Sequence, residues 1–358
     1  MKLVVDCRYI TPGRHNGISR YTTGLVHALA ELHPLTMLIS DERQLAHLPD
    51  APWVRISAPT SIREPLVARQ VNRLDPDVVF SPMQTMGTWG RRYPVLLTLH
   101  DLIYYRHRTP PPEFAAPIRL LWRLYHLARW PQRLLLNRAD AVVTVSETSA
   151  AVIAAYRLTR RPVIVVPNAA DPAPDPTRLP RRRALVYMGT FMPYKNVETL
   201  VRVAALLPDH ELHLMSRISP EDRARLTALG PGARLVFHDG ADDTTYRDLL
   251  RGATALVSAS RDEGFGLPLV EAMGVGTPLV VSDIPVFREV GGAAATYVYP
   301  DDVAGFVRAI RALADEATFA AASAAARERA EHYSWERSAR ILLALAERVV
   351  DVRQRGAV

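Results

Sequence analysis

The chain has 358 residues, 48% hydrophobic and 23% charged, which excludes a disordered or low-complexity protein and fits two globular domains of ordinary size. Its one cysteine, Cys7, excludes an intramolecular disulfide and a thiolate metal cluster. The net charge of +7 suggests an acidic partner such as a phosphorylated ligand, an anionic membrane or nucleic acid.

The first element, KLVVD (2–6), is a short strand without the apolar core and cleavage site of a signal peptide, and no apolar run reaches the ~18 residues of a spanning helix. The expectation is a cytoplasmic protein. Further strands are LTMLIS (35–40), DVVFS (77–81), PVLLTLHD (94–101), AVVTVS (141–146) and PVIVVPN (162–168), separated by amphipathic stretches such as SRYTTGLVHALAEL (19–32). Apolar strands alternating with helices indicate βαβ units and a parallel sheet covered on both faces.

Between the strands ending at 101 and beginning at 141 lies IRLLWRLYHLARWPQRLLLNR (118–138). Its spacing stacks Arg119, Arg123, His126, Trp130 and Arg133 on one helical face, with a possible kink at Pro131. Two readings stand: a solvated face over a leucine-rich core stripe, or a basic, aromatic face for an anionic membrane surface. The preceding loop, TPPPEF (109–114), could border an acceptor entrance.

DPAPDPTRLPRRR (171–183) interrupts the pattern with prolines and a basic cluster, as a linker would. A second alternation follows through ALVYMGT (184–190), ELHLMS (211–216), RLVFHDG (234–240), ALVSAS (255–260), PLVVSD (278–283) and ATYVYP (295–300). The expected domains are 1–172 and 184–333, joined by 173–183, with a helical segment 334–358 crossing back to the first. The fold class is α/β, two doubly wound parallel-sheet domains facing each other, with ligands expected in the cleft beyond the strands' carboxyl ends.

The most informative stretch is SRDEGFGLPLVEAMGVGTPLVVSD (260–283). Gly264 and Gly266 allow close backbone approach, and Pro268 suits a first helical turn, so the N–H groups around Gly266 and Leu267 would face an anion. Glu263 precedes this loop and Glu271 lies about one turn into the helix. Carboxylates accept hydrogen bonds from vicinal hydroxyls, which ribose and hexose rings offer on either side of a diphosphate. Of 44 basic residues only Lys2 and Lys195 are lysines, so a compact ammonium is kept at Lys195 in a chain that otherwise uses arginine.

EGFGLPLVEAM and GTPLVV resemble, almost letter for letter, the retaining GT-B glycosyltransferases of family four. The resemblance extends through GISRY (17–21), His100-Asp101, TVSETS (144–149), VVPN (165–168), MGTFMPYKN (188–196) and SWE (334–336). It implies a GT-B fold of two Rossmann-like domains. Glu271 would bind a sugar nucleotide's ribose, Glu263 the transferred sugar, Lys195 the diphosphate, and the Gly264–Phe265–Gly266–Leu267 backbone sugar and phosphate. Gly17 would bring its N–H to the phosphate, with Arg14 and His15 as solvated neighbours; His100 would lie at the sugar near the reacting carbon, and Asp101 would belong to the donor-binding set. It also implies front-face retaining transfer, with the leaving phosphate helping to deprotonate the acceptor and no cofactor or metal required.

Three places depart from the family pattern. Thr190 and Tyr194 stand where an arginine commonly joins the lysine, Ser216-Arg217 stands where the next strand commonly ends in glycine, and Ala169 replaces a glycine after Pro-Asn. Arg217 is expected to supply the missing guanidinium. GISRY resembles bacterial mannosyltransferases of O-antigen or surface-polysaccharide assembly, so GDP-mannose is the expected donor and a glycan or lipid-linked hydroxyl the acceptor. UDP-glucose, UDP-galactose, UDP-N-acetylglucosamine and deoxysugar donors stay open. The alternatives are a nucleotide-sugar epimerase of the same architecture and a non-enzymatic basic membrane or nucleic-acid binder. Nucleic acid is disfavoured because the arginines are dispersed and no recognised module is present. No G-x-G-x-x-G follows the first strand, which disfavours a dinucleotide oxidoreductase.

Overall fold

A computed structural model describes residues 1–13, 16–110, 116–171 and 179–355. The expectations for Arg14, His15, residues 111–114 of the proline-rich loop and 172–178 of the linker lie outside the described residues. The chain divides into two compact units, Met1–Ala169 with Ser334–Val358, and Ala170–Tyr333.

The first unit holds seven strands: β1 (Leu3–Asp6), β2 (Leu35–Ile39), β3 (Trp53–Arg55), β4 (Val78–Ser81), β5 (Val95–Thr98), β6 (Ala141–Thr144) and β7 (Val163–Val165). All pair in parallel in the order β3-β2-β1-β4-β5-β6-β7, with Val4 beside Thr36 on one flank and Val79 on the other. Every residue of LVVD, VVFS and AVVT is buried, because helices cover both faces of the sheet. Edge strand β3 is largely exposed and too short to give an apolar run, and the sequence reading missed it.

The helix Gly17–Leu32 is capped by Asn16, whose side chain accepts from the Ser19 N–H at 2.9 Å, and it buries Tyr21, Leu25 and Leu29. The C-terminal helix Trp335–Arg355 packs on it. The Trp335 indole lies directly on Gly24, where any Cβ would overlap the ring, and Ser338 Oγ donates to the Pro167 carbonyl at 2.8 Å. This contact gives the SWE segment a packing role.

The 118–138 stretch departs from expectation. One helix runs Ala116–Leu127 and a second Trp130–Leu136, so the five residues do not share one helical face. His126 turns inward, its Nδ1 2.8 Å from the Trp122 carbonyl and its ring 5.1 Å from Tyr105. Arg133 donates to the carbonyls of Tyr156 and Arg157 at 3.0 and 3.2 Å. The leucines form no core stripe: Leu120, Leu121, Leu124 and Leu127 are exposed. Aromatic rings, with more area to bury and polar tips to satisfy, take the inner side instead.

The second unit holds β8 (Ala184–Tyr187), β9 (Glu211–Leu214), β10 (Arg234–Phe237), β11 (Ala255–Ser258), β12 (Leu279–Ser282) and β13 (Ala295–Val298). Its parallel order is β10-β9-β8-β11-β12-β13, around a core that includes Leu185, Val201, Leu212, Val257 and Phe306. The fold is thus two doubly wound α/β units, each with a reversal of strand order beside its first strand.

Candidate functional site

In the second unit the strand order reverses between β8 and β11, and in open parallel sheets ligands bind beyond the carboxyl ends at such a reversal. The β8 loop ends in a short 3-10 turn, Pro193–Lys195, and the β11 loop leads to Glu263. Across this reversal Lys195 Nζ donates to Glu263 Oε1 at 2.6 Å, each side chain 14% exposed. The sequence placed these groups at neighbouring parts of one ligand. The structure pairs them directly, so the ammonium is shared with a carboxylate.

The two loops are held by backbone and side chains alike. The Arg261 N–H donates to the Tyr194 carbonyl at 2.8 Å, and the Arg261 guanidinium makes a bidentate pair with Asp301 at 2.6 Å for each bond. Asn196 is buried in the left-handed region (φ 52°) and donates through Nδ2 to the Pro300 carbonyl at 2.9 Å. Beneath them Tyr187 OH donates to the Thr190 carbonyl at 2.7 Å. Burial, reinforced by the negative charge of Glu263, pushes the Tyr187 phenol well above its ordinary pKa and keeps it a neutral donor.

Beyond Glu263 the chain turns at Gly266 (φ 97°) into the helix Leu267–Gly274, whose N-terminus has no side-chain cap. A Cβ on Gly266 would lie 2.9 Å from the Phe287 ring, so both conformation and packing require glycine. The Phe265 ring is buried edge-on against Tyr333, 5.6 Å between centroids, which leaves only its backbone for a ligand. Glu271 stands half-buried one turn into the helix, and Gly264 is buried in the loop before it.

Arg217 follows β9, the neighbour of β8. The Ser216 hydroxyl accepts from the Gly189 N–H at 3.3 Å, so the arginine starts beside the lysine loop. Its stem lies over Gly240 (φ 96°), where a Cβ would come within 2.8 Å of Arg217 Cγ. Arg217 is exposed and has no carboxylate partner among the described residues.

In the first unit, Gly17 opens the first helix with nothing within 4 Å of where a Cβ would be, unlike Gly24. No fold requirement explains glycine there. His100 lies just past β5, its Nε2 2.8 Å from the Pro82 carbonyl and Tyr21 edge-on at 5.1 Å. A carbonyl only accepts, so Nε2 carries the proton and Nδ1 keeps a lone pair. Burial pushes the imidazole below its ordinary pKa of 6.5, so the ring is neutral at pH 7. Asp101 Oδ1 accepts from the Ile103 N–H at 3.0 Å and starts the short helix Ile103–Arg106.

The sequence reading missed the cluster where β1 ends. Arg8 uses all five N–H donors: to Asp6 through Nε and Nη2, to Glu64 through Nη1 and Nη2, and to the Ser57 carbonyl through Nη1, at 2.7–3.0 Å. Ser81 at the end of β4 donates to Asp6 at 3.2 Å, so the cluster ties down the first unit's own reversal point between β1 and β4. The only local signal is the Asp-x-Arg spacing, since Glu64 is 56 residues away. Asn196, Arg261 and Asp301 were missed for the same reason.

Comparisons with known proteins agree with this architecture. Residues 15–174 match the model "Glycosyltransferase Family 4" and residues 174–332 match "Glycosyl transferases group 1". The chain is 25% identical over 310 residues to the O-antigen chain mannosyltransferase RfbU of Salmonella typhimurium, covering 82% of this chain and 86% of that protein. It is 33% identical over 187 residues to the phosphatidyl-myo-inositol mannosyltransferase of Mycolicibacterium smegmatis, spanning about half of each (48%). Among solved structures, sucrose-phosphate synthase of Thermosynechococcus elongatus superposes with a TM-score of 0.76 at 19% identity, over 98% of this chain and 99% of that one. Anabaena HepE in complex with UDP and glucose superposes at 0.69 and 16% identity, over 97% and 99%. The architecture and both matched halves show that the chain belongs to the GT-B glycosyltransferases, with a family 4 domain followed by a group 1 domain.

Proposed function

We propose that this glycosyltransferase moves a hexose from a nucleoside diphosphate sugar to a hydroxyl of a glycan or lipid-linked acceptor, with retention at the anomeric carbon and without a metal. GDP-mannose is the donor we favour, because several similar proteins are mannosyltransferases, RfbU among them. The observation that carries the reading is the Lys195–Glu263 pair at the β8/β11 reversal, beside a helix N-terminus that no side chain caps. An ammonium and the amide dipoles of a helix start suit a diphosphate, and a carboxylate next to them suits the hydroxyls of the sugar it carries.

In this reading Lys195, Arg217 and the Gly264–Leu267 backbone stabilise charge developing on the leaving diphosphate, which is positioning and electrostatic catalysis. Glu263 holds the hexose, Glu271 the ribose, and the family resemblance assigns Gly17 to phosphate and His100 to the sugar, with Asp101 in the donor-binding set. Neutral His100 offers Nδ1 as an acceptor for a hydroxyl. The test is thermal unfolding with GDP-, UDP- and dTDP-sugars in excess EDTA, followed by NMR assignment of the product anomer. A donor at a hundred times its Kd stabilises the native state by about 2.7 kcal/mol. If none of the sugar nucleotides stabilises the protein, the donor reading fails, and an inverted product refutes retention.

A further inference from the structure

The loop that turns into the helix Leu267–Gly274 has few side chains of its own to hold it. Between Glu263 and Leu267 stand two glycines and Phe265, and glycine leaves its backbone free to take many conformations. The glycines that admit a close approach therefore cannot orient the loop's N–H groups. The Phe265 ring is the handle by which the fold can do so. It is 5% exposed, and Tyr333 meets it edge-on, with 5.6 Å between centroids and 85° between planes.

Tyr333 is fixed in turn at the far end of its ring. Its hydroxyl accepts from Arg329 Nη2 at 3.1 Å and lies 3.3 and 3.2 Å from the carbonyls of Glu289 and Val290, which share its proton. Arg329 donates to the same two carbonyls, through Nη2 at 2.6 Å and Nε at 2.9 Å. Both carbonyls belong to the last turn of the helix Pro285–Gly291, where intrahelical donors run out and a cation is favoured. The same helix carries Phe287, whose ring closes the space beside Gly266. Two rings on one support thus grip neighbouring residues of the loop.

The other end of the helix Leu267–Gly274 is held from the same side. Just past Gly274, Ser323 Oγ donates to the Gly276 carbonyl at 2.6 Å and Arg327 Nη2 to the Val275 carbonyl at 3.2 Å. Ser323, Arg327 and Arg329 lie on the helix Glu316–Ala330, and Tyr333 follows it directly. One stretch of chain, 323–333, therefore brackets the helix behind its tail and at the loop before its head.

We infer that Tyr333 is a positioning residue for transfer, acting through Phe265 to set the Gly264–Leu267 backbone that meets the leaving diphosphate. Arg329 anchors the Tyr333 ring from behind. The identity of the anion rests on the proposed function; the contact between the two rings does not.

The test is calorimetric titration of the full chain with GDP and with UDP, at a temperature where each variant's unfolding curve shows it native. Y333A is expected to weaken binding of the nucleotide that wild type takes by about fivefold or more, because N–H donors lose strength steeply once turned off line. Y333F keeps the ring edge and should stay within about twofold of wild type. F265A should resemble Y333A, and F265A/Y333A should bind no more weakly than F265A alone, since one residue acts through the other. Where Y333A does not fold, Y333L takes its place, keeping apolar bulk without the ring edge, and should weaken binding several-fold. Unchanged affinity in the native Y333A or Y333L variant overturns the inference, as does a loss in Y333F equal to that in Y333A, or an additive double variant. Wild type that binds neither nucleotide refutes the donor reading and takes the inference with it, an outcome distinct from binding that the variants retain.

Discussion

Replacing Glu263 by glutamine keeps its shape and removes its charge, which tests whether the carboxylate competes with the donor for Lys195. At the 2.6 Å separation, two unit charges attract by about 1.6 kcal/mol in bulk water and about 6 kcal/mol at an effective dielectric of ~20. Both side chains are 14% exposed, so the environment lies between these limits, and desolvation of both ions offsets much of the attraction. A net coupling of about 1–3 kcal/mol is expected in a double-mutant cycle of K195A and E263Q read by unfolding. A nucleoside diphosphate meets an unshared ammonium in E263Q and no longer faces a nearby carboxylate. Calorimetric titration should therefore show GDP or UDP binding several-fold tighter in E263Q, at least tenfold weaker in K195A, and transfer lost in both. If E263Q weakens diphosphate binding as much as K195A does, Glu263 orients the lysine and the competition argument is wrong.

Four further outcomes are expected. Gly24→Ala drives a methyl group into the Trp335 indole and should cost about 2–4 kcal/mol, seen as a lower Tm. Gly17→Ala meets open space at a helix start, so it should leave Tm unchanged while raising the donor KM. Arg217→Ala removes an exposed side chain, so stability should hold while donor affinity drops roughly five- to twentyfold; full affinity would end its diphosphate role. His100, His126 and His213 all have pKa values pushed below 6.5 by burial, so the unfolded chain takes up protons first as pH falls. Stability is then constant above that value and lost on acidification through the window beneath it; a Tm that does not move between pH 7.5 and 5.5 would contradict this.

The strands were legible because helices bury both faces of each sheet, and valine-rich runs follow directly from that. The glutamate–glycine loop was legible because close backbone approach and a helix start need particular residues in a row. What periodicity could not supply was direction. In 118–138 it separates leucines from rings and arginines, but which side meets the unit depends on Tyr104 and Tyr105, brought there by the fold. Pairs such as Lys195 with Glu263, 68 residues apart, or Arg8 with Glu64 exist only once strand order is known. The lysine's retention among arginines marked its importance without revealing its partner.

The indole seated on Gly24 also bears on the order in which the molecule can be completed. Residues 170–333 are all in hand before the ribosome reaches Trp335, so the second unit can close while the first still lacks a wall. The part synthesised first is therefore finished last, and until then the bare flank of Gly17–Leu32 around Gly24 is an exposed hazard. Chains stalled or clipped shortly before residue 335 should yield a sound second unit attached to a sticky, incomplete first one.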